Sequence, residues 1–220
     1  MHSTSIDGVK SLLTGVVKPV VVDRQLDAFT VGQLSTALFA SKALVVEGTT
    51  ESAVFYGIGD RDVIARLESQ GIAVVPANGK GSIALAHAIL RSLGIPTYAV
   101  FDSDSEFEAR ASANGKTEEK IEEERASHIA ANRQLLRYFE LDEVDFPTQQ
   151  VGNRVAIFGD HLEAFLETEW PEWVTSCASV EAAAGVSLKK NQFAYRTATA
   201  EAQGSVPDMF DLILKKLEEV

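Results

Sequence analysis

The sequence has little cysteine and no long apolar run, and each shortage excludes a class of protein. A single cysteine among 220 residues, Cys177, excludes an internal disulfide framework and any zinc site built from several cysteines. No apolar run approaches the length of a membrane span, and no signal peptide is visible. We therefore expect a cytoplasmic protein with no membrane partner.

Basic residues are fewer than acidic residues, which limits how the chain could bind a nucleic acid. Lys and Arg number 20 against 32 Asp and Glu, so the net charge is −12. Proteins that bind nucleic acid by bulk electrostatics normally present a basic face. An acidic protein can still bind the phosphates of a nucleic acid through bound metal ions, because the cations invert the local charge.

Short β-branched apolar runs alternate with helical stretches from residue 42 onward, a pattern typical of an α/β protein with a parallel sheet. The runs predict about four strands, buried on both faces, at residues 43–47, 72–76, 97–101 and 154–158. Helices are predicted over residues 51–70, 82–93 and 117–139. Gly71 and Gly94 follow the first two helices and are suited to end them.

The same pattern divides the chain into three regions. Residues 1–40 are interpreted as the tail of a preceding domain or a linker, which makes the chain a fragment. Residues 41–170 form the predicted catalytic domain, with a helical insertion at 107–150, and residues 171–220 form a helical extension. An acidic run at 118–125 is typical of a solvated helix face, so we place that helix outside the functional site.

Acidic residues stand at the ends of three of the four predicted strands. Glu47 ends the first strand, Asp102 and Asp104 follow the third, and Asp160 follows the fourth. Because the carboxyl ends of parallel strands share one edge of an open sheet, we expect these side chains to lie close together. Like charges in close register repel, so a bound cation is a sound reason for placing them there.

Two further acids extend the expected cluster. Glu51 falls in the first turn of the next predicted helix, where the helix dipole would favour a carboxylate in any case. Glu163 lies three residues beyond Asp160, so a helix that begins near Asp160 would place both on one face. The cluster then contains Glu47, Glu51, Asp102, Asp104, Asp160 and Glu163. Carboxylates suit Mg²⁺, and a pair of such ions about 3.5–4 Å apart can promote cleavage of a phosphodiester.

Two acidic motifs resemble those of the Toprim domain shared by topoisomerases, primases and several nucleases. They are Val46-Glu47-Gly48-Thr49-Thr50-Glu51 and Asp102-Ser103-Asp104. Within that group the chain is most similar to the OLD (overcoming lysogenization defect) family of ATP-dependent nucleases. The supporting features are Leu38-Phe39-Ala40, the extra acid at Glu51, Asn78-Gly79-Lys80-Gly81-Ser82 and Asp160-His161-Leu162-Glu163. His2-Ser3 resembles the end of the switch segment that closes an ABC-type ATPase domain in this family.

The resemblance implies a Toprim-like fold and metal-dependent cleavage of DNA. The six acids would divide between two Mg²⁺ or Mn²⁺ ions, with Glu47, Asp102 and Asp104 also catalytic. A basic residue of the C-terminal part, Lys189 or Lys190, would stabilise the transition state. The implied partners are DNA and an N-terminal ABC-type ATPase domain that this chain lacks, and a homodimer through the missing region is left open.

Two other interpretations fit part of the pattern. The acids could form an Mg²⁺-dependent phosphoryl-transfer site of the receiver or phosphatase type, although Glu47 and the second acid pair fit that type less well. The domain could also be a catalytically inactive Toprim-like module that serves binding or dimerisation. Among single residues, we interpret His87 as a helix-face residue, Cys177 as a core thiol and His161 as a neighbour of the site.

Overall fold

A computed structural model describes residues 5–23, 34–185, 187 and 191–220 of the chain. One sheet of five strands lies at its centre, in the order β2-β1-β3-β5-β4. The strands are β1 (Lys42–Val46), β2 (Ile72–Pro76), β3 (Thr97–Asp102), β4 (Gln150–Val151) and β5 (Val155–Phe158). All neighbours pair in parallel except β4, which runs antiparallel to β5. The prediction of a mainly parallel α/β sheet is confirmed, and the two-residue β4 adds a fifth strand.

Helices flank this sheet. They are α1 (Ile6–Leu12), α2 (Thr49–Asp60), α3 (Arg66–Ser69), α4 (Ile83–Ser92), α5 (Phe107–Ala113), α6 (Glu118–Tyr138), α7 (Leu162–Glu169), α8 (Pro171–Ala184), α9 (Gln192–Glu201) and α10 (Asp208–Glu219). Gly71 and Gly94 have φ angles of 72° and 76° just after α3 and α4, so both end helices as predicted. No helix in the described ranges is long and apolar enough to span a membrane.

Side chains along each strand alternate between two hydrophobic cores, one on each face of the sheet. On β1, Ala43 and Val45 face the first core, whereas Leu44 and Val46 face the second. Residues of α1, α4 and α6 cover the first core, and residues of α2 and α7 to α10 cover the second. Because both faces are covered, each central strand is a continuous apolar run, which is why the sequence locates it.

The predicted helix over residues 51–70 is wrong in one respect, because the chain breaks there into α2 and α3. Ala65, between them, has a left-handed φ of 58°, which a continuous helix cannot contain. The Asp60 carboxylate accepts a hydrogen bond from the Ala65 amide at 2.7 Å. Arg196 of α9 donates two more hydrogen bonds to the same carboxylate. A contact from a distant helix thus fixes the break, and local periodicity does not reveal it.

Helix α9 lies directly against α2 because Gly57 leaves room for it. A Cβ atom at Gly57 would stand 2.6 Å from both the Arg196 carbonyl oxygen and the Thr199 Cβ atom. Burial raises the pKa of the Tyr195 hydroxyl in the same helix, and the negative charge of Glu163 raises it further. The C-terminal helices therefore border the edge of the sheet that carries the acids.

His87 of α4 is fully buried in the first core as a neutral ring. Its Nε2 atom lies 3.1 Å from the Thr97 carbonyl oxygen, which can only accept, so Nε2 carries the proton. Its Nδ1 atom then accepts a hydrogen bond from the Tyr138 hydroxyl at 2.9 Å. Burial lowers the pKa of His87 to about 3, and the positive charge of Arg91 acts in the same direction.

We expect acid to destabilise the protein through His87. The usual pKa of 6.5 applies to the unfolded chain, so protons bind the unfolded state preferentially and the free energy of unfolding falls below that pH. Between pH 7 and pH 4.5 the wild type should lose about 2–3 kcal/mol more than a His87→Gln variant. Urea unfolding at a series of pH values measures the difference, and parallel curves for the two proteins would contradict it.

Candidate functional site

Backbone hydrogen bonds join the loops at the carboxyl edge of the sheet. The Gly79 amide donates to the Glu47 carbonyl oxygen at 2.9 Å, which links the loop after β2 to the loop after β1. The Asp104 amide donates to the Asp160 carbonyl oxygen at 3.2 Å, which links the loops after β3 and β5. Acids from three strand ends are thereby held beside one another.

Four acids at this edge, which we call the unpaired carboxylates, are Glu47, Glu51, Asp102 and Glu163. The ion pairs that the structure describes here involve Asp104 or Asp160 instead. Asp102 is the last residue of β3 and is 6% exposed, and Glu51, in the first turn of α2, is 8% exposed. Glu51 Oε2 accepts a hydrogen bond from the Gly48 amide at 2.9 Å. Glu47 Oε2 is buried with no hydrogen-bond partner among the described residues.

Burial and mutual repulsion raise the pKa values of three of these acids. Burial raises the pKa of Glu47 to about 7, although the positive charge of Lys80 opposes the change. Burial also raises the pKa of Asp102 well above its ordinary value, and the charges of Glu47 and Glu51 add to the effect. Glu51 shows the same direction, with burial as the main cause and the charge of Glu163 contributing. The four side chains therefore lie close enough to repel one another.

Asp104 and Asp160, which we call the paired carboxylates, are neutralised by basic side chains. Lys80 Nζ lies 2.5 Å from Asp104 Oδ2, and His128 Nδ1 lies 3.0 Å from the same oxygen. Arg110 binds Asp160 Oδ2 and contacts Asp104 Oδ1 at 3.5 Å. Burial alone would raise the pKa of both acids, but these partners lower the pKa of Asp104 and bring that of Asp160 to about 2.

Comparison with known proteins accounts for this arrangement of strand ends and acids. Residues 38–104 match the model of the overcoming lysogenization defect protein-like (OLD-like) TOPRIM domain. This part of the chain is therefore similar in sequence to an OLD-like Toprim domain. The match includes Glu47, Glu51, Asp102 and Asp104, and it confirms the resemblance inferred from the two acidic motifs.

Individual relatives agree with the family match. Old nuclease of Escherichia phage P2 is 35% identical over 77 residues, which make up 35% of this chain and 13% of that protein. The C-terminal region of the Xanthomonas campestris pv. campestris OLD protein has a TM-score of 0.52 at 13% identity, covering 82% of this chain and 96% of that chain. The C-terminal region of the Burkholderia pseudomallei OLD protein has a TM-score of 0.54 at 15% identity, covering 82% and 98%. These two structures share the fold with this chain.

This edge of the sheet also contains basic and amide side chains that the sequence pattern alone does not assign to the site. They are Lys80, Arg110, His128 and Asn132. The last two belong to α6, so placing this helix outside the functional site is wrong. Residues 118–125 are largely exposed as expected, but the later turns direct His128 and Asn132 towards Asp104 and Lys80. Their spacing of four residues, on one helix face, is the signal that could have found them.

Asp160 and Glu163 do not share a helix face, so that prediction is wrong. Helix α7 begins after His161, which leaves Asp160 in the preceding loop. Asp160 accepts hydrogen bonds from Arg110 and from His161 Nδ1, the latter at 2.8 Å. Glu163 lies in the first turn of α7, where its charge acts on Asp102. The two acids therefore belong to different groups within the site, and His161 lies beside it as expected.

Several predicted residues lie outside the described part of the chain. Lys189 and Lys190, the proposed basic catalytic residues, are among them, as are His2 and Ser3 of the ATPase-like segment. Their roles stay predictions. Lys80, by contrast, is a basic side chain that the structure places directly on one of the acids.

The chemistry of the site fits a divalent cation, although the side chains are not drawn together around one point. Within the described ranges, no three carboxylate, imidazole or thiol groups are close enough to hold a single metal ion. Yet Glu47 has a buried oxygen without a partner, and Asp102 is a buried acid crowded by other acids. A divalent cation would supply the missing positive charge and favour the ionised forms of these side chains.

Proposed function

We propose that this chain is the nuclease part of a divalent-metal-dependent enzyme that hydrolyses phosphodiester bonds of DNA. The observation that carries the proposal is the group of unpaired carboxylates at the carboxyl edge of the sheet, where Glu51 and Asp102 are buried and the charges of neighbouring acids raise the pKa of Asp102. Folding alone gives no reason to gather like charges there, because they repel. Similarity to a protein named Old nuclease supports a nucleic acid substrate, and the OLD-like domain favours DNA.

The acids would hold two ions, Mg²⁺ or Mn²⁺. The unpaired carboxylates would hold the first ion, because burial and neighbouring acids raise the pKa values of Glu47, Glu51 and Asp102 and a cation would offset that effect. Asp104 and Asp160 would contribute to the second position. Ions held there by these side chains would supply the water activation and the charge neutralisation that phosphodiester hydrolysis needs.

Basic side chains around the acids would orient the DNA backbone. The side chain of Arg110 is 34% exposed, so it can reach a phosphate while remaining beside Asp160. A guanidinium group binds phosphate oxygens in a forked geometry, which suits positioning. Because the chain as a whole carries a net charge of −12, this local positive charge and the metal ions would together offset the repulsion of DNA.

Cleavage of supercoiled plasmid by the 220-residue chain tests the proposal. With Mg²⁺ or Mn²⁺ the plasmid should become nicked and then linear, and excess EDTA should stop the reaction because the acids alone cannot activate water. A plasmid that stays supercoiled with both metals, at an excess of folded protein, would contradict the proposal. If such a plasmid were retarded in a gel without being cut, the result would support a binding module instead.

A further inference from the structure

Lys80 is a buried cation in the middle of an acidic site. It opens the short 3₁₀ helix Lys80–Ser82, directly after Gly79, whose φ of 117° is a conformation that favours glycine. The lysine is only 6% exposed, and its Nζ atom lies 2.5 Å from Asp104 Oδ2. Its charge also acts on Glu47, one of the unpaired carboxylates. Lys80 therefore stands between the two groups of acids.

Asn132 holds the Lys80 ammonium group in this position. The Asn132 amide nitrogen donates to the carbonyl oxygens of Ser103 at 2.9 Å and Asp145 at 2.8 Å. Because both amide hydrogens are used, the orientation of the side chain is fixed and its oxygen faces Lys80 Nζ at 3.2 Å. The ammonium group thus donates to a carboxylate and an amide that belong to different parts of the fold. This is a built position for a positive charge.

A divalent cation that used Asp104 would compete with Lys80. The Asp104 oxygen nearest to Lys80 also accepts from His128, so little of its negative charge is left for a further ligand. A cation placed there would also be repelled by the nearby ammonium group, strongly so in a buried site where the dielectric is low. The unpaired carboxylates are less restricted, because the ion pairs described at this edge do not include them and Lys80 acts on Glu47 without forming an ion pair with it.

We infer that Lys80 is a positioning residue that makes the affinities of the two cation positions unequal. Its ammonium group occupies the place beside Asp104 where the second ion would bind, and the second ion binds only after this group has moved away. This inference rests on the proposed metal-dependent function. One ion binds among the unpaired carboxylates once their side chains draw together around it. The second binds only when the Lys80–Asp104 ion pair opens, which makes full metal loading a separate and weaker step.

Titration of the metal-free 220-residue chain with Mn²⁺ tests the inference without measuring cleavage. Calorimetry, with free Mn²⁺ followed by electron paramagnetic resonance, should show one ion bound by the wild type and a second bound at least tenfold more weakly. Lys80→Met removes the charge at similar length, so the second ion should bind at least tenfold more tightly. Lys80→Arg keeps the positive charge, so the two ions should still bind with unequal affinities.

Lys216→Met is a matched control, because Lys216 is paired with Glu219 in the last turn of α10. Lys42, at the amino end of β1, contacts the carbonyl oxygen of Leu217 at 3.2 Å, so this turn lies at the opposite edge of the sheet. The control should bind Mn²⁺ as the wild type does.

Two results would overturn the inference. One is binding of two Mn²⁺ ions with equal affinity by the wild type, a measurement that does not depend on any variant being folded. The other is an unchanged ratio of affinities in Lys80→Met that circular dichroism shows to be folded. A wild-type chain that is folded and binds no Mn²⁺ would instead contradict the proposed metal-dependent function itself.

Discussion

A chain with Asp102→Asn should lose plasmid cleavage and yet be at least as stable as the wild type in the absence of metal. Asparagine keeps the shape of aspartate but removes its charge. Asp102 ends the central strand β3, and the charges of the other unpaired carboxylates converge on it. Loss of an outer-sphere partner of a metal ligand typically costs about 10–100-fold in affinity or activity, so loss of a direct ligand should cost more.

The expected gain in stability has the same cause as the expected loss of activity. The pKa of Asp102 is raised by burial and by neighbouring acids, so the folded state binds this proton more tightly than the unfolded chain and the free energy of unfolding falls as the pH rises above the ordinary value of 3.8. Each pKa unit of such a shift corresponds to about 1.4 kcal/mol. In EDTA at pH 8, the free energy of unfolding of Asp102→Asn should therefore equal or exceed that of the wild type.

Two other aspartates provide controls for the charge. Asp145 pairs with Arg133 at 2.7 Å and is 43% exposed, so Asp145→Asn should change neither cleavage nor stability appreciably. Asp160 has a pKa lowered to about 2, because Arg110, His161 and a backbone amide offset its burial, so Asp160→Asn should lower the stability at neutral pH. An Asp102→Asn variant that cleaves DNA normally would show that this carboxylate is not needed for cleavage. A variant that is clearly less stable than the wild type in EDTA would show that the carboxylate stabilises the fold.

The strands and the acids could be predicted from sequence because both depend on local pattern. β1, β2, β3 and β5 are buried on both faces, so each gives an apolar run. The acids at their carboxyl ends then meet for a topological reason that holds for any parallel sheet. Glu51 was placed correctly in the first turn of α2, where its side chain caps the Gly48 amide.

The division of the six acids into two groups could not be predicted, because it depends on distant residues. Lys80 precedes Asp104 by 24 positions, and His128 follows it by the same number, yet both contact its carboxylate. Arg110 reaches Asp160 across 50 positions of sequence. No local pattern shows which acid each of these residues contacts, since the contacts follow from where α6 and the loop after β2 fold back over the sheet edge. The short strand β4 is not predicted for a simpler reason, since two residues are too few to show the apolar run of a buried strand.

The division of the acids into paired and unpaired carboxylates connects the fold with the proposed chemistry. If all six carboxylates were unpaired, their repulsion would act on every loop at this edge of the sheet. Pairing Asp104 and Asp160 with Lys80 and Arg110 offsets part of the repulsion, although the charge of Asp104 still raises the pKa values of Glu47, Glu51 and Asp102. The loops after β3 and β5 are thus stabilised by ion pairs, while a cation at the unpaired carboxylates would favour their ionised forms.

Trp170→Ala should be the most destabilising of the substitutions considered, lowering the free energy of unfolding by about 3–5 kcal/mol. Trp170 is 1% exposed and lies between α7 and α8, at the predicted boundary of the catalytic domain. Its indole nitrogen donates to the Gln203 carbonyl oxygen at 2.6 Å, and the Arg61 guanidinium lies 4.9 Å from the centre of its ring. Truncation would leave a cavity and remove the hydrogen bond to that carbonyl oxygen.

The same variant tests whether the C-terminal helices and the sheet unfold together. Trp170 belongs to the core that joins the second face of the sheet to α8, α9 and α10, so one cooperative transition should persist while its midpoint falls by roughly 6–20 °C. Phe193→Ala is the matched control, because this aromatic ring is 79% exposed and its loss should change stability by no more than about 0.5 kcal/mol. Thermal unfolding followed by circular dichroism measures both. Two separate transitions in the wild type would mean that residues 171–220 fold as an independent unit, and equal midpoints for the two variants would mean that Trp170 does not join them to the sheet.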